Sequence, residues 1–200
     1  MRPKGLPKVP VLREDGKAES VLLQGTGGVS IAGLQIAHAA GMKTIITSSS
    51  DEKLERAKAL GADHGINYRT TPNWHEEVLR LTDGEGVDVI FENGGAQTLR
   101  KSFDCIAFGG LINCIGYLSG KEDAESDRLN TNVLALRRNV TLKGILNGPR
   151  DRFVELVSFY EKNRIRPVVD RVFKFEQAKE ALEYLYSGGH FGKAVIRVAH

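Results

Sequence analysis

A glycine-rich segment stands between an apolar run, predicted as a strand, and an amphipathic stretch, predicted as a helix. Gly25 permits a tight turn, and Gly27 allows the backbone to approach a phosphate group closely. The unpaired N–H groups and the positive dipole end of the following helix would then meet the negative charge. We therefore expect the segment to bind a dinucleotide pyrophosphate. It consists of Gly25, Thr26, Gly27, Gly28, Val29 and Ser30, with Ser30 at the place of the usual third glycine.

The residue types after the second predicted strand indicate which dinucleotide is bound. A site that prefers NAD usually has Asp or Glu there, to bind the ribose 2′-hydroxyl. This sequence has Ser48, which leaves room for a 2′-phosphate and does not repel it. Lys53 follows in the first turn of a helix, where a cation opposes the helix dipole and a nearby anion would be favourable. Tyr68 ends the third strand and could donate its hydroxyl to the same phosphate, so the sequence predicts NADP(H).

The same residues also have a purely structural interpretation. Ser49 and Glu52, three residues apart, match the capping-box pattern, so the serines would only cap the next helix. Lys53 would then be a solvated side chain that Asp51 and Glu52 balance. Both interpretations stay open at the level of the sequence.

Strands and helices alternate along the chain, as in a doubly wound parallel sheet with helices on both faces. Right-handed crossovers bring the carboxyl ends of such strands to one edge, where ligands bind. We predict an α/β fold, a doubly wound parallel Rossmann sheet of about six strands with a short C-terminal α+β extension. Strands are predicted over 21–24, 44–47, 64–67, 87–91, 111–115 and 140–145, and helices over 31–40, 49–60, 74–82, 96–106 and 129–137.

The pattern changes after residue 148. A helix, an apolar strand, a second helix and a final strand are predicted over 151–163, 168–175, 176–186 and 194–198. Six strands complete a Rossmann unit, so the two additional strands must pair with something else. We expect an irregular, proline-containing leader over 1–19, a dinucleotide-binding domain over 20–147 and a C-terminal segment over 148–200.

Charge and hydropathy argue against two classes of partner. The net charge is only +3 at pH 7, and basic residues are interleaved with acidic ones, so no nucleic-acid partner is expected. No apolar stretch approaches the roughly 20 residues that a membrane-spanning helix needs, so no membrane partner is expected.

The cysteines and histidines argue against disulfide and metal chemistry. Cys105 and Cys114 form neither a disulfide framework nor a metal-ligand pattern. No histidine stands at metal-ligand spacing from a Cys, an Asp or a second His, so no metal site is expected. The basic first ten residues lack the apolar core of a secretory signal. We therefore expect a cytoplasmic protein with free thiols.

Further motifs, in their order and spacing, resemble the medium-chain dehydrogenase/reductase superfamily. The closest similarity is to its zinc-independent, NADP-using branch of alcohol dehydrogenase-like and quinone oxidoreductase-like proteins. In NADPH-dependent quinone oxidoreductases, a lysine and a tyrosine at the positions of Lys53 and Tyr68 contact the 2′-phosphate. The resemblance covers about residues 20–199 and rests on Gln24 to Ser30, Lys58-Ala59-Leu60-Gly61-Ala62-Asp63, Ile66-Asn67-Tyr68-Arg69, Gly86-Val87-Asp88-Val89, Arg166-Pro167-Val168-Val169 and His190-Phe191-Gly192-Lys193.

The resemblance implies further cofactor contacts at the ends of later strands. Asn93 would cover the adenosine side of the cofactor. Gly116 and Tyr117 would lie against the ribose and the nicotinamide. Leu146 and Asn147 belong to the stretch that would meet the nicotinamide carboxamide through backbone groups. The alternative is that these segments are ordinary turns at strand ends.

The activity implied by the resemblance is hydride transfer between NADP(H) and a carbonyl, enone or quinone substrate. Family members begin with a GroES-like catalytic domain, which supplies most of the substrate pocket, and this sequence has only its leader there. No catalytic residue is therefore predicted. The alternative is a non-catalytic NADP(H)-binding module, or a degenerate paralogue that lacks the catalytic domain.

Two contacts outside the substrate pocket also follow from the resemblance. Family dimers often join through their sixth strands, which here run from Val140 to Ile145, so we expect a homodimer. Lys193 could approach the cofactor phosphate, or it could be an ordinary lysine at the start of a strand.

Overall fold

The computed structural model describes residues 16–122 and 130–199, and it confirms the predicted α/β class. Most of the predicted leader, residue 129 of the predicted fifth helix and His200 lie outside the described residues. The strands are β1 (Ser20–Leu23), β2 (Lys43–Ser48), β3 (His64–Asn67), β4 (Val87–Glu92), β5 (Ile106–Cys114), β6 (Thr141–Gly144), β7 (Val169–Lys174) and β8 (Lys193–Arg197). The helices are α1 (Gly28–Ala39), α2 (Asp51–Ala59), α3 (Trp74–Leu81), α4 (Leu99–Cys105), α5 (Thr131–Arg137), α6 (Arg150–Lys162) and α7 (Ala178–Tyr186), and a 3₁₀ turn spans Phe175–Gln177.

The larger sheet has its strands in the order β3-β2-β1-β4-β5-β6, and all neighbours run parallel. The chain returns from β3 at one edge to β4 beside β1, so the winding direction reverses between β1 and β4. Ligands of open parallel sheets bind in the crevice at such a reversal. The prediction of a doubly wound Rossmann sheet of about six strands is therefore confirmed.

Apolar side chains cover both faces of the sheet. Strand β1 is buried along its whole length and β2 along nearly all of it, as expected for strands with helices on both sides. One core layer includes Ile31 and Leu34 of α1, and the other includes Val78 of α3 and Phe103 of α4. These layers hold the ends of β1, β2 and β4 in place at the crevice.

The region around β5 differs from the prediction. The helix expected to reach residue 106 ends at Cys105, and the strand expected from residue 111 begins at Ile106. Ile106 pairs with Val87 of β4, and regular pairing resumes at Leu111 after an irregularity. Gly109 lies within the irregularity with a φ of +75°, which glycine adopts without strain. The glycines in this apolar run therefore mark a bulge inside the strand, not a loop before it.

The start of α2 also differs from the prediction. Ser49 and Glu52 do not form the expected capping box, because β2 continues to Ser48 and the helix begins later. The N-cap is Ser50, whose Oγ accepts a hydrogen bond from the Lys53 amide over 3.4 Å. Lys53 is consequently the third residue of the helix.

The C-terminal segment folds back onto the glycine-rich segment, which we call the glycine loop. Strands β7 and β8 pair with each other in parallel. Gly192 forms an isolated parallel bridge with Gly27, and its amide donates to the Thr26 carbonyl oxygen over 3.0 Å. Phe191, beside it, is buried in the core layer of α1. The segment therefore forms one wall of the ligand-binding edge.

The same segment also presents apolar side chains to solvent. Helix α6 has no buried residue, and it exposes Phe153, Val154 and Val157. Strand β7 exposes Val169 and Val172. Helices α1 and α6 and the chain before β7 line a groove of about 880 Å³.

Candidate dinucleotide-binding site

The glycine loop joins β1 to α1 at the crevice of the sheet. Gly25 has a φ of +78°, so a residue with a side chain would be strained at this turn. Helix α1 begins at Gly28 with Gly27 as its N-cap, and among the described residues no side chain caps it. Its first amide groups can therefore bind an anion, which the helix dipole also favours.

Ser30 connects the loop to the sheet. It is buried, and its Oγ donates to the Gln24 carbonyl oxygen over 2.7 Å. Asn93 Nδ2 donates to Ser30 Oγ over 3.0 Å and to the same carbonyl oxygen over 3.1 Å. The close approach of helix and sheet occurs instead at Gly33, where a Cβ atom would lie 2.9 Å from Leu23 Cδ2. Ser30 and Asn93 thus fix the loop to the ends of β1 and β4.

A buried carboxylate beneath the loop was not predicted. Glu92, at the end of β4, is 1% exposed and accepts a hydrogen bond from Gln24 Nε2 over 2.7 Å. It also accepts from the hydroxyls of Thr98 and Ser102 and, over 3.0 Å each, from the amides of two glycines in the next turn. These donors satisfy the charge, as its burial requires. One feature of the sequence could have indicated this buried acid. Glu92 ends an apolar strand, and Asn93 and a pair of glycines come directly after it.

A cavity of about 360 Å³, the edge cavity, opens beside the loop at the carboxyl ends of β1, β2 and β4. Tyr68 and Asn93, both predicted as site residues, line it. Trp74 and Lys101 line it too, although the sequence had indicated Trp74 only as the start of a helix. The size and the mixture of aromatic and amide side chains suit a nucleoside.

Ser48 lies behind the glycine loop and is 1% exposed. Its Oγ lies 3.4 Å from Thr26 Oγ1 and accepts a hydrogen bond from the Ser50 amide over 3.4 Å. The residue shapes the end of β2 and adds no negative charge. Neither bond requires the Ser48 O–H proton, but the hydroxyl is buried, so a direct contact with a 2′-phosphate would require the residues around it to move.

The side chain of Lys53 connects α2 to the C-terminal segment. Its Nζ donates to the Gly188 carbonyl oxygen over 2.8 Å. Burial is the main reason that the pKa of Lys53 is below its usual value; Asp170 opposes this shift and Arg56 adds to it. An anion bound beside Lys53 would compensate for the burial of the charge.

Asp170 fastens the C-terminal segment to α2. It accepts hydrogen bonds from Arg56 Nη2 over 2.8 Å, from the Tyr184 hydroxyl over 2.5 Å and from the Phe191 amide over 3.1 Å. Burial alone would raise the pKa of Asp170, but these three donors hold it below its usual value. The guanidinium of Arg56 also lies 4.1 Å from the centroid of the Phe191 ring.

Two side chains of the C-terminal segment lie over the glycine loop. A Cβ atom on Gly28 would be 2.8 Å from Lys193 Nζ, and one on Gly27 would be 3.5 Å from His190 Nε2. The family resemblance leaves Lys193 open between a contact with the cofactor phosphate and an ordinary lysine at the start of a strand. It had given His190 only as part of a motif, because nothing in the local sequence shows that the chain returns to this point.

The residues expected at the nicotinamide lie further along the edge, after β5 and β6. A Cβ atom on Gly116 would be 2.8 Å from the Asn93 carbonyl oxygen, so a glycine is required there. Tyr117 is exposed, Leu146 is 96% exposed, and Asn147 is exposed beside it. The structure places these residues along the ligand-binding edge but outside the edge cavity.

The cysteine thiols and the side chains that could bind a metal show no sign of a further reactive site in the described residues. Burial raises the pKa of the Cys105 and Cys114 thiols, so neither is an activated nucleophile. Within residues 16–122 and 130–199, no three His, Cys, Asp or Glu side chains are grouped so that they could hold a metal ion. In the same ranges, no helix combines the length and the apolar character needed to cross a membrane.

Known proteins with a similar sequence and fold point to one family. The family model for zinc-binding dehydrogenases matches residues 28–162. A zinc-type alcohol dehydrogenase-like protein of Schizosaccharomyces pombe is 44% identical over 181 residues, or 90% of this chain and 51% of that protein. A solved putative alcohol dehydrogenase of Sinorhizobium meliloti has a TM-score of 0.80 and 42% identity, over 90% of this chain and 50% of that one. A solved NAD-dependent alcohol dehydrogenase has the same TM-score and 33% identity, over 90% of this chain and 51% of that one.

The match has a clear extent on both sides. The family model begins in the glycine loop and ends with α6, which is more than half of the chain. The chain spans about half the length of the curated relative and of the solved structures that it matches. The chain therefore belongs to the zinc-binding dehydrogenase family of the medium-chain dehydrogenase/reductase superfamily, and it corresponds to the C-terminal half of the longer members.

Proposed function

We propose that the chain is the NADP(H)-binding half of an oxidoreductase that acts on a carbonyl, enone or quinone substrate. The observation that carries the proposal is the end of β2, where Ser48 stands in place of an acid. The Tyr68 amide donates to the Ser48 carbonyl oxygen, and Lys53 follows in the first turn of α2. An NAD-dependent neighbour shares the fold, so the choice of NADP is argued from these residues alone.

The side chains near β2 fit a 2′-phosphate. Lys53 offers a partly buried cation, and Tyr68 offers the hydroxyl of an exposed side chain that lines the edge cavity. The first acid after β2 is Asp51, whose Oδ1 accepts a hydrogen bond from Asn67 Nδ2 over 2.8 Å. Asp51 is thus engaged with Asn67 of β3, and Lys53 and Tyr68 are the proposed donors to the phosphate.

The rest of the dinucleotide would follow the carboxyl ends of the strands. The edge cavity would take the adenosine, and the glycine loop would bind the pyrophosphate through the first amides of α1. Gly116 and Tyr117 would lie against the nicotinamide end, and Leu146 and Asn147 would offer backbone groups to its carboxamide. When bound, the nicotinamide would supply or accept the hydride, and the chain would orient it.

The substrate pocket is proposed to need a second body. The chain spans about half of its relatives, and its C-terminal segment over 148–200 exposes apolar side chains on α6 and β7. We propose that a GroES-like catalytic domain packs against this segment, next to the dinucleotide-binding domain over 20–147. No residue of the chain is proposed as general acid or base.

Strand β6 is proposed as the contact between two copies of the chain. It is an edge of the sheet, and all of its residues from Thr141 to Gly144 are exposed. An exposed edge strand offers unpaired backbone groups to another strand. Light scattering that shows a dimer in dilute solution supports this contact, and a monomer at high concentration contradicts it.

The contacts proposed for the described residues are all with the cofactor, which leaves a non-catalytic NADP(H)-binding module as a second candidate. Calorimetric titration with NADP⁺, followed by assays of NADPH oxidation with quinones, enones and aldehydes, separates the two candidates. Binding together with turnover supports the oxidoreductase, and binding without turnover supports the module. A chain that binds no dinucleotide contradicts both.

A further inference from the structure

We propose that His190 binds a phosphate of the dinucleotide as an imidazolium, so that the affinity of the chain for the cofactor depends on the protonation of this residue. The inference rests on the proposed function, because it takes the glycine loop as the place where the dinucleotide phosphates lie. It adds a pH-dependent contact from the opposite end of the chain.

The position of His190 is fixed by its neighbours in the sequence. Gly192 pairs with Gly27, and the Phe191 side chain is buried in the core layer of α1. The Phe191 amide donates to Asp170 Oδ2 over 3.1 Å. Nε2 of His190 consequently lies 3.5 Å from the point that a Cβ atom of Gly27 would occupy. The imidazole therefore forms part of the wall over the glycine loop.

The two nitrogens of the ring have different surroundings. Nδ1 is buried and has no hydrogen-bond partner in the described part of the chain. In the neutral ring Nδ1 can remain unprotonated, whereas the imidazolium carries an N–H there that lacks an acceptor, so protonation has a cost that a bound anion must offset. Because Nε2 is the nitrogen beside Gly27, it is the atom that would donate to a phosphoryl oxygen.

Lys193 adds a second positive charge at the loop. Its Nζ lies 2.8 Å from the point that a Cβ atom of Gly28 would occupy, at the first residue of α1. With Lys53 on α2, the loop has basic side chains on more than one side. A phosphate bound at the loop would have these side chains as donors, and it would offset the repulsion between Lys53 and a protonated His190.

Charged and titratable groups on three packed elements face the imidazole. Burial lowers the pKa of His190, Lys53 of α2 lowers it further, and Asp170 of β7 raises it. Tyr184 of α7 places its ring edge-on at a centroid distance of 6.5 Å. Asp170 also accepts hydrogen bonds from Arg56, Tyr184 and a backbone amide, and the pKa of His190 remains below its usual value.

A phosphate would reverse this balance. The negative charge beside Nε2 favours the imidazolium, so dinucleotide binding and protonation of His190 strengthen each other. In mildly acidic solution, the chain would therefore bind the dinucleotide more tightly than a chain with an uncharged side chain at position 190.

The test compares the unmodified full chain with His190→Gln, which cannot be protonated, by calorimetric titration. Dissociation constants for NADP⁺ and NAD⁺ are measured at about pH 6 and about pH 8, on either side of the ordinary imidazole pKa. The ratio of the variant's dissociation constant to that of the unmodified chain cancels the titration of the phosphate itself. We expect this ratio to be about three to ten times larger at the lower pH.

Controls and outcomes follow from the structure. His75→Gln is the matched control, because its Nδ1 is also buried without a described partner but lies on α3, and its ratio should not change with pH. His190→Asn is a second variant that cannot be protonated, and circular dichroism shows which variants fold. A pH effect with NADP⁺ alone identifies the 2′-phosphate as the ligand, and an effect with NAD⁺ as well identifies the pyrophosphate. Equal ratios at both pH values overturn the inference alone, whereas failure of the unmodified chain to bind either dinucleotide overturns the proposed function and the inference with it.

Discussion

Lys53 donates a hydrogen bond from Nζ to the carbonyl oxygen of Gly188 over 2.8 Å, and this bond joins α2 to the turn after α7. Two residues later the same stretch places His190 over the glycine loop. A phosphate beside Lys53 would share the donors of the ammonium group with Gly188 or displace the carbonyl oxygen. Dinucleotide binding is therefore expected to act on the docking of the C-terminal segment.

The contact of α1 with the sheet depends on Gly33. We expect Gly33→Ala to lower the free energy of unfolding by about 1–3 kcal/mol, because overpacking displaces core side chains. The added Cβ would lie 2.9 Å from Leu23 Cδ2 and 3.0 Å from Phe91 Cε2. Gly144→Ala is the control, since a Cβ there has no heavy atom within 4 Å. Urea unfolding measures all three proteins, and an unchanged value for Gly33→Ala would contradict this packing.

The carboxylate of Glu92 is expected to support dinucleotide binding as well as stability. In Glu92→Gln, the new NH₂ group would face donors, and unsatisfied buried groups cost about 1–3 kcal/mol. We expect that loss in urea unfolding, together with an affinity for NADP⁺ about threefold or more weaker, because only one of the two acceptor oxygens that hold Gln24 and the turn beside the edge cavity remains.

Asp88→Asn provides the control for Glu92 on the same strand. Asp88 accepts hydrogen bonds from the amide and the hydroxyl of Ser20, each over 2.8 Å, near the opposite end of β4. This variant should lose stability but keep its affinity for NADP⁺. Equal weakening of binding in both variants, or in neither, would show that Glu92 has no specific effect on the site.

Asp170 makes the docking of the C-terminal segment dependent on pH. Its pKa in the folded chain is below its usual value, so its contribution to stability is present above the pKa of the unfolded chain and is lost as the pH falls through the folded pKa. Asp170→Asn should be less stable than the unmodified chain at neutral pH, and the difference should shrink in acid. Urea unfolding at about pH 7 and about pH 3 measures it. A stability difference between the two proteins that is the same at both pH values would contradict this role of Asp170.

Local patterns were sufficient to predict the sheet and its ligand-binding edge. The apolar runs that became β1 and β4 and the turn at Gly25 each depend on neighbouring residues, so the sequence shows them directly. The bulge in β5 was missed because Gly109 also resembles a loop signal. Ser49 and Ser50 are equivalent as caps until the length of β2 is known.

The missed parts of the candidate site depend on contacts between distant residues. Glu92 resembles a surface acid until Gln24 and Ser102 are seen to surround it. His190 reaches the loop only because Phe191 is anchored in the core and Gly192 pairs with Gly27.

NADP(H) binding with the 2′-phosphate at Lys53 is tested most directly by the dissociation constants of NADP⁺ and NAD⁺ for the unmodified chain and Lys53→Glu. Hydrogen bonds to charged groups contribute about 1.5–3 kcal/mol, so we expect NADP⁺ to bind at least about tenfold more tightly than NAD⁺. Lys53→Glu should abolish this preference and spare NAD⁺. Lys58→Glu, an equal change of charge at an exposed position of α2, should retain it. Equal affinities for the two dinucleotides in the unmodified chain, or equal effects of the two substitutions, would contradict the assignment.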